Sequence, residues 1–315
     1  MTERGGPIRF ADETRSSGTD DHGWGLAAGA ADYDGDGRID LYVANDFGRS
    51  VLYRNVTEPH DPIRFEDVTS RVGLMEPGFG MGVAWGDFDL DGDFDLYATH
   101  YWFDERWILT DRRFPLPPSS PSGLPGPTRR RKLSRYVTEN SLFRNDAAQS
   151  GRFVGVSGQA GVFDAGWAWG AAWTDADGDG LLDLAVATGM LPGKHGRSRE
   201  IDFWNELSAG WREFSAGSWT VDFGEDGITG PQPERLFLNL GDGTFAEVGY
   251  AAGFDTTADL RGLIAADITG DGAPDLVGGA FLASPVIYEN TNVGGAARVR
   301  VLLEGTASNW DAVGA

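Results

Sequence analysis

Cysteine is absent from this chain of 315 residues. That excludes disulfides, thiol nucleophiles and thiolate metal ligands, and leaves the redox compartment unreadable. Histidine is scarce: His22, His60, His100 and His195 are scattered, and none stands in a metalloprotease or triad-like setting. No apolar run approaches the ~18–20 residues of a membrane span. The opening Met1-Thr2-Glu3-Arg4-Gly5-Gly6 lacks the basic head and apolar body of a signal peptide. Positive charge is also in short supply, with a formal net charge of −22. A phosphate-binding surface needs clustered cations, so no nucleic-acid partner is expected. The one basic run, Arg129 to Lys132, reads as a solvated loop tip. Long helical periodicity is missing too, whereas 46 glycines suit short strands and tight turns.

What the chain does have is an aspartate ladder written four times, each followed by an apolar strand-like run. The copies are Asp32-Tyr33-Asp34-Gly35-Asp36-Gly37-Arg38-Ile39-Asp40 and Asp87-Phe88-Asp89-Leu90-Asp91-Gly92-Asp93-Phe94-Asp95. Then come Asp175-Ala176-Asp177-Gly178-Asp179-Gly180-Leu181-Leu182-Asp183 and Asp267-Ile268-Thr269-Gly270-Asp271-Gly272-Ala273-Pro274-Asp275. Carboxylates at positions 1, 3, 5 and 9 repel one another unless a hard cation sits among them. Calcium is the natural candidate, because it accepts six to eight oxygens in flexible geometry. The alternative is a solvated acidic turn without metal. The ladders hold a third of the 48 acidic residues, so four bound divalent ions would move the net charge from −22 to about −14.

An EF-hand shares positions 1, 3 and 5 but needs a bidentate Glu at position 12 and flanking helices. Here position 12 is Val43, Ala98, Val186 or Gly278. Closure is therefore assigned to Asp40, Asp95, Asp183 and Asp275 at position 9. The backbone carbonyls of Arg38, Asp93, Leu181 and Ala273 at position 7 add an oxygen. The position-6 glycines permit the reversal. The fourth loop, with Thr269 at position 3, has one charge fewer and is expected to bind more weakly.

The repeat is larger than the ladder. A Gly/Ala/Trp segment precedes each copy, as in Trp24 to Ala28 and Gly80 to Trp85. A Leu-Tyr-x-Asn-like segment follows: Leu52 to Asn55, Leu142 to Asn145, Leu236 to Asn239 and Ile287 to Asn290. Phe-led strands at Phe10, Phe65, Phe153 and Phe245 are read as opening each unit. Four short strands per unit make one propeller blade, and blades must stack to bury their faces. The predicted fold is all-β: a propeller over residues 1–295 with blades at about 10–64, 65–152, 153–244 and 245–295. Inserts are expected at 100–140, Pro-rich and irregular, and at 190–234. In the second insert Ile201, Trp204, Leu207, Trp211 and Phe214 predict a short amphipathic helix.

The ladder and its flanking strands resemble the FG-GAP/VCBS repeat of calcium-binding β-propellers. Leu41 to Gly48 and Gly80 to Asp87 are similar to bacterial relatives of cartilage acidic protein. Val301 to Thr306 with Ser308 to Ala315 resembles the start of an ASPIC/UnbV domain, although Trp310 stands where the family commonly has a basic residue. Residues 296–315 are accordingly assigned to the beginning of such a domain. The resemblance implies a propeller of about seven blades, of which four are legible, so a fragment of a longer protein is expected. It also implies an extracellular or periplasmic scaffold, since calcium modules of ~10⁻⁴–10⁻³ M affinity stay empty in a cytosol. An unknown protein or glycan ligand would dock on loops and inserts. Tyr101-Trp102-Phe103 with Trp107, and Trp204 with Trp211 and Trp219, are candidate contacts; the same aromatics can instead pack the inserts onto the propeller. The rival reading is a calcium-dependent propeller lyase or hydrolase, with His100 as the first residue to test; the leading reading is that the chain is not an enzyme.

Overall fold

Each ladder turns one strand back on another, and both strands follow from their composition. Ahead of it, small residues let neighbouring backbones approach. Behind it, an apolar run follows that is covered on both faces in the second and third copies. The computed structural model describes residues 9–46, 48–75, 77–101, 139–146, 150–193, 225, 227–229 and 231–292. The proline-rich stretch, the basic run, the predicted helix of the second insert, the insert aromatics beyond Tyr101, His195 and residues 296–315 lie outside them.

The first sheet runs β1 (Trp24–Ala31), β2 (Asp40–Asp46), β4 (Val51–Asn55) and β5 (Phe65–Asp67) in that spatial order. A two-stranded ribbon of β3 (Gly48–Arg49) and β6 (Pro77–Gly78) lies beside it. The second sheet holds β7 (Gly80–Gly86), β8 (Asp95–His100), β9 (Ser141–Asp146) and β10 (Arg152–Gly155). The third holds β11 (Ala168–Thr174), β12 (Asp183–Thr188), β13 (Arg235–Asn239) and β14 (Phe245–Glu247). The fourth has three described strands, β15 (Leu260–Ala266), β16 (Asp275–Ala280) and β17 (Val286–Tyr288). All pairings are antiparallel, and the sheets are arranged as four propeller blades. Helix among the described residues is limited to single turns: α1 (Thr14–Ser17), α2 (Ser157–Ala160) and α3 (Gly249–Ala252).

The Phe-led strands correct one sequence expectation. They do not open a blade; each closes the preceding one. Asn55 pairs with Phe65, Asn145 with Phe153 and Asn239 with Phe245. A boundary drawn at Phe65, Phe153 or Phe245 therefore cuts a sheet before its outer strand. The physical reason is economy of connection. A hairpin joins sequential antiparallel strands directly, and the longer crossing to the next inner strand is made by the helical turn that follows. Phe10, read as a strand opener, lies outside any strand and is 96 % exposed.

The core sits between blades. Tyr33, Tyr42, Leu52, Val68, Leu96, Phe143 and Phe153 fill the first junction. Phe88, Tyr97, Leu142, Leu184, Phe237 and Phe245 fill the second, and Ala185, Leu236, Phe254, Leu260 and Leu276 the third. Burying each large apolar side chain contributes about 1.5–3 kcal/mol, so no blade is stable without its neighbour. The inner strands stack in sequence, β1 on β7, β7 on β11 and β11 on β15. Glycine makes the approach close: a Cβ on Gly86 would lie 2.5 Å from the Trp173 ring. Among the described residues, β15 has no comparable packing against β1.

Candidate metal centres

All four ladders fold into one turn. The position-1 carboxylate caps it, receiving two backbone N–H groups. Asp32 accepts from Asp36 and Gly37 at 3.0 and 2.7 Å, and Asp87 from Asp91 and Gly92 at 3.1 Å each. Asp175 accepts from Gly178 and Gly180, and Asp267 from Gly270 and Gly272. The position-6 glycine is left-handed in every copy, with φ of +82° at Gly37, +94° at Gly92, +91° at Gly180 and +89° at Gly272. Position 4 is left-handed as well. There Gly35, Gly178 and Gly270 are replaced in the second copy by Leu90 at φ +57°, a conformation that costs an L-residue roughly 1–2 kcal/mol.

The position-9 aspartate ties the turn to the third strand. One oxygen of Asp40, Asp95, Asp183 and Asp275 accepts the position-2 amide of Tyr33, Phe88, Ala176 and Ile268 at 2.8–3.2 Å. The other accepts the amide of Asn55, Asn145, Asn239 and Asn290 at 2.7–2.9 Å. The asparagine side chains then cross to the preceding blade. Asn145 donates to the Tyr33 carbonyl at 2.7 Å, Asn239 to that of Phe88 at 2.8 Å and Asn290 to that of Ala176 at 2.8 Å. Asn55 donates to Ile39 of its own blade. The asparagine role was missed from sequence; its signal is the recurrence of Asn after the apolar third-strand run.

Carboxylate oxygens converge to within 4.8 Å of one another in three of the turns: Asp32, Asp34 and Asp36; Asp87, Asp89 and Asp95; Asp175, Asp177 and Asp183. Asp91 and Asp179 at position 5 stay exposed and outside these groups. Among the described residues the fourth turn brings together no such group from Asp267, Asp271 and Asp275. At position 7 the described contact is the amide N–H: Arg38, Asp93, Leu181 and Ala273 each donate to the position-5 carboxylate at 2.8–3.0 Å.

Electrostatics mark the same groups. Burial pushes Asp40 up to about 6, Asp95 to about 8 and Asp183 to about 6, against the pull of two amide donors and with help from ladder charges. Burial, then neighbouring carboxylates, also raises Asp89 and Asp93; at Asp177 burial again leads. Asp275 goes the other way, lowered chiefly by the Asn290 amide. It is shielded from water on the middle strand of the last sheet, but no further blade is stacked beyond that sheet among the described residues.

The first turn differs in its neighbours. Arg54 pairs with Asp34 at 2.5 Å and Asp36 at 2.9 Å, and Arg38 pairs with Asp36. The equivalent of Arg54 in the second blade, Arg144, turns instead to Asp146 at 2.8 Å. Oxygen-only donors, net negative charge and flexible spacing suit a hard divalent cation. Oδ1 of Asp34 is buried without a hydrogen-bond partner, as expected of an atom awaiting one.

A family profile described as FG-GAP-like repeat matches residues 32–98 and 227–278. The chain carries FG-GAP-like repeats. It is similar to cartilage acidic protein 1 of Homo sapiens, at 30% identity over 184 residues, covering 57% of this chain and 23% of the relative. The Mus musculus protein of the same name is 29% identical over 184 residues, with the same coverage. The chain thus spans about a quarter of the length of the curated relatives it matches.

His100 lies away from these turns, at the far end of β8. It is 1 % exposed, burial lowers it to about 4, and neither ring nitrogen has a partner among the described residues. No helix among those residues is long and apolar enough to cross a membrane.

Proposed function

We propose that this chain is a calcium-binding propeller scaffold that presents its loops and inserts to a protein or glycan outside the cytosol. The observation that carries the reading is the convergence of three carboxylates in each of the first three turns. Asp32, Asp34 and Asp36, then Asp87, Asp89 and Asp95, then Asp175, Asp177 and Asp183 would hold the ions. Calcium there supplies charge neutralisation, not reaction chemistry. Each turn joins the first strand of a blade to the second, and its position-9 aspartate holds the third, so ion binding adds to folding free energy.

An extracellular or periplasmic setting is favoured by the weak affinity of exposed oxygen loops. Similarity to cartilage acidic protein 1 supports membership of the cartilage acidic protein and ASPIC/UnbV group, with residues 296–315 opening its terminal domain. Ligand contacts are assigned to the inserts at 100–140 and 190–234. The catalytic alternative leans on His100, and the burial of that side chain supports the scaffold reading over it.

Adding EGTA should lower the melting temperature by many degrees, and excess calcium should restore it. An unchanged melting curve sinks the structural-ion reading. A glycan array run beside a polysaccharide substrate panel separates binder from enzyme: turnover of any substrate would overturn the scaffold assignment.

A further inference from the structure

The two ends of the blade arc are complementary. Four segments of one design occur: Phe10, Phe65, Phe153 and Phe245 each precede, by eight residues, a left-handed glycine that closes a helical turn. Those glycines are Gly18, Gly73, Gly161 and Gly253, at φ +83°, +89°, +80° and +76°. In sequence, Pro7-Ile8-Arg9-Phe10-Ala11-Asp12 and Pro62-Ile63-Arg64-Phe65-Glu66-Asp67 differ at one position. Three of these phenylalanines lead the outer strands of the first three blades. The fourth, Phe10, pairs with nothing in the described strands and is 96 % exposed.

The last blade lacks what Phe10 has to give. Its third strand, β17, is a free edge among the described residues. At the first two junctions the outer-strand ring packs on ladder position 2, Phe153 on Tyr33 and Phe245 on Phe88, each at 5.8 Å. At the third, a cavity of about 490 Å³ lined by Ala176, Val248, Gly253, Phe254 and Tyr288 takes the place of such a ring. A Cβ on Gly18, Gly73 or Gly161 would lie 3.0, 3.2 or 3.6 Å from the carbonyl oxygen of Phe65, Phe153 or Phe245. Beside Gly253 nothing lies within 4 Å. The asparagine latch is open at the same two ends: Asn55 reaches no preceding blade, and the Ile268 carbonyl receives no asparagine among the described residues. Apolar side chains are bared there as well, Trp24 and Leu26 on β1 and Ile264 on β15.

We propose that a second copy of this chain docks head-to-tail, its Phe10 segment adding to β17 as the outer strand of the last blade. Strand addition to a free edge supplies main-chain hydrogen bonds, and the Phe10 ring fills the cavity. The first blade of one copy then follows the last blade of the other, so β1 covers β15 and Asn55 meets Ile268. Such a contact is heterologous, using two different surfaces. The register comes from the other blades. Asn55, Asn145 and Asn239 stand opposite the leading phenylalanine, so Asn290 faces Phe10 and Glu289 faces Ala11.

The chain has no native cysteine, which makes cross-linking clean. Mixing full-length Ala11→Cys with full-length Glu289→Cys under oxidation should give a disulfide-linked pair of chains. Sedimentation should show mass rising with concentration, and Phe10→Asp should weaken that association by about tenfold or more. At concentrations too low for association, where Phe10 is exposed, this variant should keep the wild-type melting curve. A doubly substituted chain that cross-links internally and sediments as a monomer would mean that its own Phe10 segment closes the arc, overturning the proposal. No cross-link in the mixture, with a monomer at every concentration, would mean that another segment or nothing fills the slot, and overturns it equally.

Discussion

The first and second turns have almost the same carboxylates and different cations beside them. In the first, the guanidinium groups of Arg38 and Arg54 already sit on Asp34 and Asp36. In the second, Arg144 occupies the position of Arg54 but pairs with Asp146, and Asp93 replaces Arg38. Ladder spelling therefore does not set how much negative charge a turn offers an ion. The residue one strand away does. By this comparison the second turn would be the stronger site for calcium, and the first is partly self-neutralised.

The position-9 aspartates should behave alike, and that is the first way to break the contrast. Asp40→Ala or Asp95→Ala strands two amides, one on position 2 and one on the third-strand asparagine, at roughly 1–3 kcal/mol each. Allowing for relief of the buried carboxyl, urea unfolding in chelator should show a loss of about 2–4 kcal/mol for either. Asp91→Ala, at an exposed position, should cost under about 1 kcal/mol in the same buffer. Equal losses for Asp91 and Asp95 would remove the distinction between the strapping carboxylate and an exposed one in the same turn.

Next comes pH. Calcium needs ionised carboxylates, and Asp95 is held protonated up to about 8 while Asp183 is held only to about 6. As pH falls from 8 to 6 the second turn should lose affinity, by up to about tenfold per unit, with the third unaffected until pH 6. Binding at pH 7 should release protons, read as a buffer-dependent heat. In chelator the sign reverses. Folded Asp95 keeps a proton that the unfolded chain sheds above pH ~4. Stability should therefore fall as pH rises to about 8 and then level.

Arg54→Leu sharpens the comparison directly. Freeing Asp34, and leaving Asp36 to Arg38 alone, should tighten calcium at the first turn about tenfold, or 1.4 kcal/mol, and leave the second unchanged. Titrating single-turn variants separates the two. The smallest effect belongs to backbone strain: Leu90→Gly should stabilise the second turn by about 1 kcal/mol, visible as a higher urea midpoint.

The fold was legible because the ladders, the Gly/Ala/Trp segments and the Phe-led strands recur in order, and recurrence alone implies stacked units. Blade edges were less so. Phe65 reads equally well as the start of one hairpin or the end of another, and only its pairing with Asn55 decides. The candidate ligands at positions 1 and 3 could be named from spacing. Arg54 and Asn145 could not, because they act across strands or blades, and sequence distance hides such contacts. Ala176 hid the third junction in the same way: it stands where Tyr33 and Phe88 meet a ring.

One titration weighs the central idea most directly: calorimetry of the full chain with calcium, repeated on Asp89→Ala and Asp177→Ala. The account predicts two strong sites, one lost in each variant, with a weaker site at the first turn that Arg54→Leu tightens. An absence of calcium-dependent heat, or a stoichiometry that neither substitution changes, would contradict it.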